Sequence, residues 1–184
     1  TANACLDPTT KNIYLAQGVY GGVFPGVVRI NQYNAIVKYN FATNTTTVLT
    51  PLSLTNVWPL SVYAQYNCKV IAASNNYVYS ILESTTPVLL ATDGTGTQCN
   101  YIFRVNSSTG VISAMGSGAN AMIYNMIFDN VRNLLYVSGA FTTMNGTSYG
   151  YTACWDETRQ TWNKLVTLNN TCTQMAYSST YNTL

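Results

Sequence analysis

Short apolar runs alternate along the chain with polar clusters rich in Asn, Asp, Ser, Thr and Gly. Ile36-Val37-Lys38-Tyr39, Ile102-Phe103-Arg104-Val105 and Leu134-Leu135-Tyr136-Val137 are of this kind. No window carries the helical period of about 3.6 residues, so the pattern predicts strands joined by turns. Nearly continuous apolar runs fit strands buried on both faces. Residues 120–128 have some helical character. Their alignment with Ala4–Leu6 and Met175–Tyr177 predicts a strand instead.

The strands recur in order. Met126-Ile127-Phe128-Asp129 through Leu135-Tyr136-Val137 matches Ala4-Cys5-Leu6-Asp7 through Ile13-Tyr14-Leu15, with the same Asp-to-Tyr spacing. Met175-Ala176-Tyr177-Ser178 starts a further copy. Val70 to Tyr79 is a weaker copy with a shorter turn. A second unit alternates with the first: Ile36 to Leu49, Ile102 to Ile112 and Thr152 to Leu165 each read strand, polar turn, strand. Asn40, Asn106 and Asp156 stand where a short side chain can bond the backbone two residues on. Asp7 and Asp129 are expected to cap turns in the same way, rather than to bind a cation, because Ser178 replaces them in the later copy. Two hairpins per repeat divide the chain into residues 1–66, 67–121 and 122–171, with 172–184 as the first strand of a further repeat.

Leu135-Tyr136-Val137-Ser138-Gly139, then Phe141 to Gly146, then Ala153-Cys154-Trp155-Asp156 and Trp162, resembles a kelch-type blade. It is similar to the tandem propeller repeats of fungal and protist cell-surface proteins. Val19-Tyr20-Gly21-Gly22 resembles the kelch double glycine but comes later than in the family pattern. The middle repeat lacks both the Gly-Gly and the Trp. The resemblance implies an all-β, β-propeller-like fold of four-stranded blades, here about three blades and a strand. Closed propellers hold about four to eight blades, and the pattern breaks off before the next expected Tyr-Val. The edges are therefore expected to be paired by more of the same polypeptide, by closure within the chain, or by strand addition between subunits.

Composition narrows the chemistry. Of 184 residues only 8% are charged, against roughly 25% in an ordinary soluble domain. The net charge is +2, too small for an electrostatic nucleic-acid binder. There is no histidine, which removes His triads, His-zinc sites and the His ligands of kelch-type copper oxidases. Acidic residues number only six. The adjacent pair Asp156-Glu157 reads as turn polarity. The loop Ser84–Thr97, flanked by Glu83 and Asp93, reads as a solvated connection. Asp93-Gly94-Thr95-Gly96-Thr97 lacks the lysine of a phosphate loop. Neither catalysis, a cofactor nor a metal is expected, and no apolar run reaches the length of a membrane helix.

The five cysteines, Cys5, Cys68, Cys99, Cys154 and Cys172, form no CxxC. Together with the low charge they suggest a secreted, disulfide-permissive setting. Cys68–Cys99 is a candidate bridge within one repeat; Cys172 aligns with Cys68, which points to a partner in a downstream blade, with Cys154–Cys172 as the rival pairing, and an odd count leaves one thiol free or paired elsewhere. Asn44, Asn106, Asn145 and Asn169 begin glycosylation sequons, the first three in predicted turns or loops. Trp58, Tyr63, Tyr66, Tyr149 and Tyr151 lie in or near loops, where aromatic faces can stack on sugars. These features lead to the expectation of an extracellular or cell-surface structural or adhesive repeat protein, associating with itself or with neighbouring repeats and carrying glycans. The alternative is a carbohydrate- or protein-binding propeller that uses the loop aromatics.

Overall fold

The computed structural model describes residues 3–7, 9–17, 35–50, 67–83, 88–90 and 97–178. It is all-β. Three four-stranded antiparallel sheets follow one another along the chain, each a meander with its strands in sequence order. The first holds β1 (Asn3–Leu6), β2 (Asn12–Gln17), β3 (Ala35–Asn40) and β4 (Thr45–Thr50). The second holds β5 (Asn67–Ala73), β6 (Tyr77–Glu83), β9 (Ile102–Asn106) and β10 (Ile112–Ala114). A separate ribbon of β7 (Val88–Leu90) and β8 (Thr97–Cys99) lies between β6 and β9 in sequence. The third holds β11 (Ile123–Asp129), β12 (Leu134–Gly139), β15 (Thr152–Asp156) and β16 (Thr161–Lys164). Its inserted ribbon is β13 (Thr143–Met144) and β14 (Thr147–Ser148). The strand expected at 120–128 is β11. The two ribbons were not expected. Residues 84–97 had been read as a plain connection, yet β7 and β8 pair across it.

One local rule closes five of the hairpins. Asp7, Asn40, Asn106, Asp129 and Asp156 each accept two backbone N–H bonds on Oδ1, from the residues two and three further on. The residue four positions after each cap turns left-handed: Lys11, Asn44, Gly110, Asn133 and Gln160 have φ between 53° and 74°. Such loops reverse the chain with a twist that matches the flanking strands. Gly110 also lies so close to the Leu49 carbonyl that a Cβ would come within 2.0 Å of it. The β5–β6 turn is shorter and uses a hydroxyl, with the Tyr77 N–H donating to Ser74 Oγ at 3.0 Å.

Successive residues on a strand face opposite ways, and the middle sheet uses both faces. Val78, Phe103, Val105 and Ile112 pack with Tyr14, Ile36 and Leu49 of the first sheet. Tyr79, Ile81 and Ile102 pack with Leu135, Val137, Ala153, Trp155 and Trp162 of the third. The sheets thus form a face-to-face stack with two buried seams. They come closest where their first strands meet, since β5 lies beside β1 on one side and β11 on the other.

Candidate functional site

A meander that alternates direction sorts its connections between two ends. The six tight turns, β1–β2, β3–β4, β5–β6, β9–β10, β11–β12 and β15–β16, all fall at one end. The strand ends that lead into the longer connections fall at the other. Connections of this kind carry function more often than the strands they join. Of the candidate aromatics, Tyr149 and Tyr151 belong to this second end. Trp58, Tyr63 and Tyr66 lie outside the described residues. Tyr149 is only 7% exposed, and its hydroxyl donates to the Trp162 carbonyl at 2.9 Å. The Trp162 indole donates in turn to the Met115 carbonyl at 2.8 Å. Tyr149 is therefore part of the seam between the second and third sheets and not a ligand platform. Tyr151 is half-buried, with φ 72°.

The four sequon asparagines divide between the ends. Asn44 is exposed in the β3–β4 turn and accepts the Tyr39 hydroxyl at 2.7 Å. Asn106 is half-buried, and its Oδ1 holds the β9–β10 turn. At the long-connection end, Asn145 is exposed in the two-residue β13–β14 hairpin, accepting the Ser117 N–H at 2.9 Å. Asn169 is exposed as well. In every bond named here the asparagine works through Oδ1, not through the Nδ2 that would carry a sugar.

Cys5, Cys154 and Cys172 are free thiols. The bridge expected between Cys154 and Cys172 does not form. Cys154 sits opposite Tyr136 in the ladder, whereas the Cys172 N–H bonds to the Gly139 carbonyl. Three strand residues separate these anchor points, about 10 Å, and a disulfide spans no more than roughly 7 Å between Cα atoms. Burial pushes the Cys154 thiol up to about 12, reinforced by the charges of Asp156 and Asp129. Burial and the nearby Asp7 push Cys5 up to about 12. The side chains of Cys68 and Cys99 lie outside the described residues.

The densest polar cluster was missed in the sequence. Arg104 on β9 donates to Glu157 Oε1 across the seam between the second and third sheets. The Tyr79 hydroxyl and the Trp155 indole each donate to Glu157 Oε2 at 2.8 Å. The guanidinium lies 4.3 Å from the Tyr77 ring centre and 5.7 Å from that of Trp155. Both ionic side chains are largely buried, at 7% and 13% exposure. Asp156 does hold its turn, as expected; Glu157 lies in the same turn, but its carboxylate reaches into the seam instead of serving the turn. The available signal was Arg104 itself, a charge inside the apolar run Ile102-Phe103-Arg104-Val105. With both oxygens bonded, this glutamate joins two sheets.

Between the first strands is a mainly apolar cleft of about 270 Å³, lined by residues that include Cys5, Leu6, Ala72, Met126 and Phe128. Beside it runs a repeated aromatic contact. Ladder register makes Tyr14, Tyr79 and Tyr136 equivalent, because each follows by two the residue paired with a turn-capping Asn40, Asn106 or Asp156. Phe128 on β11 stacks on Tyr79 of the preceding sheet, with centroids 5.2 Å apart. Tyr177 packs on Tyr136 in the same sense at 5.7 Å. Its hydroxyl donates to Asp129 Oδ2 at 2.8 Å. Residues around 177 therefore meet the third sheet as β11 meets the second. No protein-family model matches this chain, and no curated protein matches it.

Proposed function

We propose that the chain is a non-catalytic structural or adhesive repeat protein of the extracellular space or cell surface. Its sheets act as propeller-like blades, and it works by association with its own kind or with neighbouring repeats. One observation carries this reading: the aromatic contact of Phe128 on Tyr79 between the second and third sheets recurs where Tyr177, in the segment that follows the third sheet, packs on Tyr136. A contact repeated with the same register can be continued. The exposed Asn44, Asn145 and Asn169 support a glycosylated surface. The carboxylates of Asp7, Asp129 and Asp156 are committed to turns, and Glu157 is committed to Arg104.

A second reading, a carbohydrate- or protein-binding module, is favoured by the gathering at one end of the strand ends that lead into the longer connections, with Tyr151 beside them. Native material separates the two. Regular assemblies in negative-stain images, together with an intact mass that falls on glycan removal, support the first. Dispersed particles that bind a glycan array, and lose binding on Tyr151→Ala, support the second.

A further inference from the structure

We propose that Tyr136 and Tyr177 form a site of oxidative cross-linking, at which hydrogen peroxide acting through a haem peroxidase joins the two rings as dityrosine. The extracellular structural reading above supplies only the setting, an oxidising space in which a durable link is useful. The chemistry itself follows from the geometry of the pair.

Tyr136 is the register equivalent of Tyr79, and Tyr177 packs on it as Phe128 packs on Tyr79. The earlier contact pairs a phenol with a plain phenyl ring. The later one pairs two phenols, with centroids 5.7 Å apart and planes inclined by 36°. Among the described residues no other two tyrosine rings meet in this way. A phenol gives up an electron far more readily than a phenyl ring, because its oxygen shares the charge and its proton can leave in the same step. Tyr177 has an acceptor for that proton. Its hydroxyl donates to Asp129 Oδ2 at 2.8 Å. Arg132 donates to the Tyr177 hydroxyl at 2.7 Å and to the same carboxylate oxygen at 2.8 Å, which fixes the arrangement. Tyr177 is half-buried and so open to an oxidant, whereas Tyr136 is only 8% exposed.

The backbone around Tyr177 is anchored as well. The Met175 carbonyl accepts from Asn125 Nδ2 at 3.4 Å, and the Cys172 N–H donates to the Gly139 carbonyl at 3.2 Å. Two rings held in contact react as if at high effective concentration. The more exposed Tyr177 loses an electron first, with its phenolic proton passing to Asp129. Electron exchange across the contact shares the radical with Tyr136. A second one-electron oxidation then leaves a radical on each ring, with the Tyr136 phenolic proton released to water. The radicals combine through the ring carbons beside the two hydroxyls, forming one carbon–carbon bond. Each joined carbon loses its hydrogen as a proton, and each oxygen regains one. In sum the pair gives up two electrons and two protons, and hydrogen peroxide takes them to become two waters. The product ties the segment after the third sheet covalently to β12.

The test treats the purified full chain, at low concentration and as a mixture of light and isotopically heavy copies, with hydrogen peroxide and a haem peroxidase. Dityrosine fluorescence and peptide masses are then read. The expected product joins the peptides holding Tyr136 and Tyr177, two hydrogens lighter than their sum, always light with light and heavy with heavy. Tyr177→Phe keeps a ring in place, copying Phe128 on Tyr79, and is expected to abolish the link; Tyr136→Phe is expected to do the same. Tyr124→Phe, at a 43% exposed position on β11, is expected to leave its yield unchanged. Oxidised wild type is expected to unfold at higher denaturant than oxidised Tyr177→Phe, because a cross-link constrains the unfolded chain as a disulfide does. Oxidation of exposed tyrosines without this link, a link between light and heavy copies, or a link that persists in Tyr177→Phe overturns the proposal and leaves the structural reading standing. Native material that is dispersed yet forms the link overturns the structural reading and leaves the cross-linking site standing.

Discussion

Asp129 and Asp156 each hold a turn with one carboxylate oxygen and an arginine with the other. Burial pulls the Asp129 carboxyl upward. Bonds from Arg132, Tyr177 and the Val131 and Arg132 N–H groups outweigh it and leave the group below its ordinary value of 3.8. Asp156 is lowered by the backbone N–H and the guanidinium of Arg159. A carboxyl lowered in the folded state contributes stability above its unfolded value and loses it as pH falls through the folded one. The melting temperature is therefore expected to hold steady near neutrality and to fall below about pH 3.8. Asp129→Asn should flatten that fall in thermal melts, and an equally steep fall in the variant contradicts this account. The thiols go the other way. With Cys5 and Cys154 raised to about 12, native alkylation near neutral pH should modify half-buried Cys172 ahead of these two, as read by peptide mass mapping. At this scale the turn caps were legible in the sequence, because a short polar side chain bonds its own neighbours. Glu157 was not, because its partners Tyr79 and Arg104 are distant along the chain.

Strands and their order were largely legible at the scale of elements, since alternation, turn chemistry and repetition pointed the same way. The inserted ribbons escaped. β13 and β14 are two residues each, too short to carry a period. The turn Asn145-Gly146 between them, with φ 50° and 75°, was the local sign. What the sequence did not reveal is how the second and third sheets are joined, which falls to Arg104 and Glu157. Removing one partner of a largely buried pair leaves the other charge uncompensated, which costs about 3 kcal/mol or more. Glu157→Ala should therefore lower stability by about that amount in denaturant unfolding. Arg104→Met combined with Glu157→Leu should cost clearly less than Glu157→Ala alone. If the double variant is worse than the single, the pair is not the joint described here.

At the scale of the whole molecule, the described sheets form a stack with two buried seams. The repeats announced that several similar sheets would form, but alternation alone cannot say which face of a sheet meets which. That became plain only when Tyr14, Tyr79 and Tyr136 fell at equivalent registers. Trp155 and Trp162 accordingly have a physical role, as both rings lie in the seam between the second and third sheets. The proposed function makes this stacking of sheets the basis of association. Cryo-electron microscopy of the native material, at a resolution that separates strands, tests this most directly. The account predicts uninterrupted runs of four-stranded sheets, each meeting the next across apolar seams like the two on either side of the second sheet. Dispersed particles without such runs would contradict it.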